Sequence, residues 1–99
     1  MQLSAEEQYV ISELRYSAKA AEKLLPTIQH HISVAKEEMK RVGIPSAYVD
    51  ADGELIQEAA VTYCLSKMDD IQNREGYEES FRYQIDNLRK SYRTIGVYV

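Results

Sequence analysis

The chain has 99 residues, room for one compact domain and no second. A domain of this size buries roughly two-thirds of the surface its unfolded chain exposes, so its core is thin and neighbouring subunits are expected to add stability. With a formal net charge of -4, 28% charged and 44% apolar residues, the composition excludes a disordered chain. It also argues against a protein whose main work is gripping nucleic acid, which draws on clustered Lys and Arg.

Eight Tyr stand beside one Phe and no Trp. Tyr packs its ring and keeps a polar end, which suits surfaces that are wet in one state and covered in another. The single cysteine, Cys64, leaves no intrachain disulfide and fits a reducing compartment. Met1-Gln2-Leu3-Ser4-Ala5-Glu6-Glu7 has neither the basic start nor the apolar run of a signal peptide. No stretch approaches the roughly 18 apolar residues of a membrane span. A soluble protein made in a cytoplasm is expected.

In chain order, Ser4-Ala5-Glu6-Glu7 reads as a capping box. Val10, Ile11, Leu14 and Ala18 follow at helical spacing, so a first helix is expected at about 4–17. Pro26 leaves two drawings open for the second. One starts near 24 with Pro26 in its first turn, and the other starts near Ser17 and bends at Pro26. In both, Leu25, Ile28, Ile32, Ala35 and Met39 form the core stripe and Gly43 stops the helix. Residues 43–53 read as a loop, with Asp52 as the cap of the next helix. Leu55, Ile56, Ala59, Ala60, Tyr63, Cys64 and Met68 make that helix's apolar face, and Asp69 to Gly76 a polar break.

The last helix carries Tyr77, Phe81, Ile85, Leu88 and Tyr92 at steps of three and four. Glu78 with Arg82, and Asp86 with Lys90, are i,i+4 pairs in the favourable order. The expectation is an all-α bundle of three to four helices at about 4–17, 24–42, 53–68 and 75–94, with an extended C-terminal tail.

Motifs for chemistry are scarce. His30 and His31 are adjacent, so on a helix they point about 100° apart and do not clamp one metal. Placing Gly53 at the sixth position of a calcium loop would make Tyr48 and Ala59 the outer carboxylate ligands, and neither is one. Cys64 lies on an apolar face among Ala60, Tyr63 and Met68, which reads as packing. The Lys36, Lys40, Arg41 and the Arg82, Arg89, Lys90, Arg93 groups are interleaved with carboxylates, as on a salt-bridged surface. No catalytic residue, cofactor or metal is expected.

The run Leu55-Ile56-Gln57-Glu58-Ala59-Ala60-Val61-Thr62-Tyr63-Cys64 resembles the third helix of phage head-tail connector proteins, adaptors of the neck. There an apolar helix precedes a short polar break and then a helix with aromatics near its start. Here that last helix reads Tyr77-Glu78-Glu79-Ser80-Phe81-Arg82-Tyr83-Gln84-Ile85-Asp86-Asn87-Leu88-Arg89. The segment from Leu24 through Met39 to Gly43-Ile44 resembles the preceding helix, so the likeness spans residues 24–92. The polar break and the tail depart from the family pattern.

The resemblance implies a homo-oligomeric ring of about twelve copies docked on the portal protein after DNA packaging. Such a ring extends the DNA channel, lets DNA pass without specific binding, and receives a stopper or tail-completion protein. It implies a place in the virion at the head-tail interface, reached from the host cytoplasm during assembly, with no membrane contact. The tail Gly96-Val97-Tyr98-Val99 is the candidate portal-binding segment, adding a strand to a partner's sheet edge. The alternative is a small helical regulatory or antitoxin-like module that binds a protein or DNA partner as a dimer; the missing basic recognition face counts against its DNA version.

Overall fold

A computed structural model describes residues 3–98, with side chains described from Leu3 to Ser91. Five helices lie among them: α1 (Ala5–Glu13), α2 (Ala18–Arg41), α3 (Ser46–Ala51), α4 (Glu54–Met68) and α5 (Ile71–Tyr98). The described residues contain no strand. The all-α expectation holds, but the helix count and several boundaries differ.

Ser4 starts α1 through a reciprocal cap. Its hydroxyl accepts from the Glu7 N–H at 3.1 Å, and the Glu7 carboxylate accepts from the Ser4 N–H at 2.8 Å. The helix stops at Glu13, short of 17, because Arg15 turns left-handed at φ 55°. The Arg15 N–H then reaches the Ser12 carbonyl and the Tyr16 N–H the Ile11 carbonyl, both at 3.2 Å, a Schellman closure without glycine.

The second helix begins at Ala18, not near 24, which is the earlier of the two starts that Pro26 left open. Ser17 caps it, accepting from the Ala20 N–H at 3.2 Å, and Pro26 sits in its interior. Proline cannot bond the Glu22 carbonyl, but both residues are exposed, so solvent can serve that group. Gly43, at φ 107°, ends α2 with the same closure: its N–H reaches Lys40 and the Ile44 N–H reaches Met39, both at 3.1 Å. A side chain would be strained there, and the turn folds Ile44 into the core beside Met39.

The expected loop over 43–53 holds a helix of its own, α3, started by Pro45 and anchored by fully buried Val49. Asp52 is not the cap of α4; Gly53 is, and Asp52 takes a left-handed turn at φ 56° after α3. This conformation is tolerated by Asp more readily than by most residues.

The hub is α4, which packs against α1, α2 and α5. Ile56, Ala59, Ala60, Val61, Thr62, Cys64, Leu65 and Ser66 are buried around most of its circumference. Its buried hydroxyls are satisfied locally: Thr62 donates to the Glu58 carbonyl at 3.0 Å and Ser66 to the Tyr63 carbonyl at 2.5 Å.

The polar break shrinks to Asp69-Asp70. Residues 71–76 are exposed helix, since Gly76 alone costs a helix only about 1 kcal/mol. One apolar cluster joins Val10, Ile28, Ile32, Ala35, Met39, Ile44, Val49 and the inner faces of α4 and α5. The molecule measures 48 × 31 × 17 Å, about two helix layers thin, so most helices keep a solvent face. No described helix is long and apolar enough to cross a membrane.

Candidate interaction surfaces and a buried carboxylate cluster

Of the sequence-derived core residues, Ile28, Ile32, Ala35, Met39, Ile56, Ala59, Ala60, Cys64, Phe81, Ile85 and Leu88 are buried. Leu25, Tyr63 and Tyr77 are half-buried. The side chains of Tyr92, Arg93, Gly96, Val97 and Tyr98, and all of Val99, lie outside the described residues, although the α5 backbone runs on to Tyr98 past the expected end at 94. Leu55, expected on the apolar face, is instead 62% exposed, because α4 packs on the sides carrying Ile56 and Ala59.

The expected chemistry-bearing residues divide clearly. Cys64 is fully buried with its Sγ 3.9 Å from the Ile28 carbonyl, and burial, then nearby Glu6, pushes its thiol up to about 12. A thiol so placed is a poor nucleophile at neutral pH. His31 lies 6.2 Å from the Tyr63 ring, and burial, then His30 and Lys67, holds its pKa below the usual value. Among the described residues no group of three or more His, Cys, Asp or Glu is arranged to hold a metal. The hydrogen bonds of Thr62, Cys64 and Ser66 run to backbone carbonyls and join none of them to a histidine.

The basic groups are largely engaged. Lys40 reaches Asp50 at 3.0 Å, Arg41 pairs with Glu38, and Asp86 takes both Arg89 at 2.5 Å and Lys90 at 3.0 Å. Glu78 does not pair with Arg82 as its spacing suggests; it lies 4.0 Å from Lys67, across the α4–α5 seam. Lys67 also sits 5.4 Å over the Tyr63 ring, which meets Phe81 edge-on at 5.1 Å. These residues border a cleft of about 210 Å³ between α2, α4 and α5.

Sequence reasoning missed the most unusual site. Glu6 and Glu7 pass as cap residues, yet both are buried, Glu6 to 3% exposure. The Glu6 carboxylate lies 3.3 Å from Lys36 Nζ, which also reaches Asp52 at 2.9 Å. Burial, then a hydrogen bond with the Asp52 carboxyl, pushes Glu6 up to about 7 against the pull of Lys36. Two carboxyls share a hydrogen bond only when one keeps its proton. Burial works against the charge on Lys36, but Asp52 and Glu6 outweigh it and raise its pKa. Burial likewise opposes ionisation of Glu7, yet bonds from Ser4 and from Gln29, the latter at 2.9 Å, hold its carboxyl below the ordinary value. The trio of Glu6, Lys36 and Asp52 therefore ties α1, α2 and the α3–α4 corner together. No local pattern marks the site, because Lys36 stands 30 positions from Glu6 in the chain.

Large apolar side chains remain uncovered on several helices. Tyr9 is 56% exposed on α1, Ile71 81% and Tyr83 71% on α5, with Leu55 on α4 and Tyr48 on α3. Comparison with protein-family models, with curated proteins and with solved structures finds no match. Function must be argued from the surfaces themselves.

Proposed function

We propose that the chain is a non-enzymatic assembly subunit: a ring-forming adaptor of a phage neck that docks on the portal and receives the stopper or tail. The observation that carries this reading is the spread of exposed Tyr9, Leu55, Ile71 and Tyr83 over α1, α4 and α5. A subunit that closes a ring meets two neighbours through two different surfaces, so it needs apolar patches on separate helices. A thin core gains stability from such neighbours. The likeness of residues 24–92 to the head-tail connectors supplies the specific setting. The net charge of -4 agrees with a channel wall that DNA slides past, since an acidic surface repels phosphates. The regulator alternative gains nothing from the basic groups, whose Lys40, Arg41, Arg89 and Lys90 already meet carboxylates.

Protein mass spectrometry of purified, DNA-filled virions tests the proposal. The chain is expected there at a fixed ratio to the portal subunit. Its absence from mature particles would refute the adaptor reading.

A further inference from the structure

Between α1 and α4 lies an open groove of about 520 Å³, walled by Glu6, Tyr9, Glu54, Gln57, Glu58 and Val61. Glu6 is buried against Lys36, so the groove presents two exposed carboxylates, and no cation lines it. Glu54 and Glu58 are exposed, and neither forms an ion pair among the described residues. Exposed Leu55 adjoins Glu54, and Tyr9 gives the groove an aromatic edge. A face of this kind calls for a cationic, partly apolar surface.

The same chain carries one. Lys19 and Lys23, on the first turns of α2, are exposed and join none of the ion pairs of the described residues. Arg15, also exposed, stands at the turn just before them, and Glu22 is the one acid between 15 and 24. Ala20 and Leu24, one position beyond each lysine, are only half-buried, so this stretch of α2 keeps an uncovered apolar strip.

We propose that the Glu54–Glu58 face of one copy docks on the Lys19–Lys23 face of a second copy. Each pair is spaced i,i+4, which sets the charges about 6 Å apart along both helices, so two ion pairs can form together without remodelling either chain. Tyr9 and Leu55 then cover the Ala20–Leu24 strip. Neither face is complementary to itself, because a two-fold contact through either would oppose like charges. The contact is therefore head-to-tail, and it closes into a ring or runs on as a filament. This deepens the adaptor reading and rests on it only for the closure of the ring.

The test uses the full chain in sedimentation-velocity runs over a concentration series, alone and with purified portal protein. Wild type is expected to associate, and raised ionic strength to weaken it. The reversals Glu54→Lys with Glu58→Lys, and Lys19→Glu with Lys23→Glu, should each weaken association by roughly tenfold or more. Each variant then carries one sign on both faces, so an equimolar mixture of the two should recover wild-type association by alternating. Circular dichroism checks that both variants fold, which their surface positions favour. Variants that associate like wild type would overturn this surface and leave the adaptor reading standing. Loss in each variant without recovery in the mixture would overturn the pairing. Wild type that stays monomeric both alone and with portal would overturn this contact and the adaptor reading together.

Discussion

Replacing Glu6 by Gln removes the carboxyl that the fold lifts toward neutrality. Glu6 rises from an ordinary 4.5 to about 7 because it is buried and shares a hydrogen bond with Asp52. At 1.36 kcal/mol per unit, this places a contribution on the order of 3 kcal/mol in the stability of the wild type. Its sign follows from proton binding. Between the two values the folded chain holds a proton that the unfolded chain releases, so stability falls as pH rises through that window. The contribution is complete below the unfolded value and gone above about 7. The amide introduced by Glu6→Gln would stay neutral, with its NH2 donating to Asp52, so the variant's slope from this site should vanish. Urea unfolding followed by far-UV circular dichroism, from about pH 5 to about pH 8, reads this directly. His31 shifts downward and so adds stability as pH rises, the opposite direction. The difference between the two proteins cancels that effect. Glu6→Gln should exceed wild type by under about 1 kcal/mol near pH 5 and by up to about 3 kcal/mol at the alkaline end. Parallel curves for the two proteins would refute the reasoning, since Glu6 would then be ionised throughout.

Adjacent residues on α4 should differ sharply. Ile56→Ala, in a site 1% exposed, is expected to cost roughly 2–4 kcal/mol, and Leu55→Ala, 62% exposed, under about 0.5, both by urea midpoint. Equal losses would contradict the helix's rotation. The Cys64 thiol, fully buried and pushed up to about 12, should resist an aromatic disulfide reagent at neutral pH until the chain unfolds. Fast labelling of the folded protein would contradict its placement. Deleting residues 96–99 should weaken binding to purified portal in a pull-down, and unchanged binding would dispose of the tail's assigned role.

Much of the fold was legible because its devices are local. The reciprocal cap at Ser4, the glycine closure at Gly43 and the Asp86–Lys90 pair are each written within a few residues, and each is present. The stripes through Ile28–Met39 and Phe81–Leu88 likewise fix which faces are inside. What escaped was set by tertiary structure. Arg15 takes a conformation usually given to glycine, so nothing in the sequence announced the early end of α1. Pro26 left two helix starts open, and the chain takes the earlier one, because Ser17 caps the helix and on an exposed face the missing proline N–H costs little. Residues 71–76 read as a break for being polar, but a solvated helical extension is polar too. The Glu6 cluster was hidden twice. Its acid looked like a cap residue, and its partners Lys36 and Asp52 come from other elements. The outward positions of Tyr9, Leu55 and Tyr83 became visible only once the helices were rotated into place.

Native mass spectrometry of this protein mixed with a purified phage portal protein tests the adaptor role most directly. The expected spectrum is a portal ring that has gained a full ring of this chain, with monomers or loose oligomers when portal is left out. A tight dimer whose mass is indifferent to portal would contradict that role.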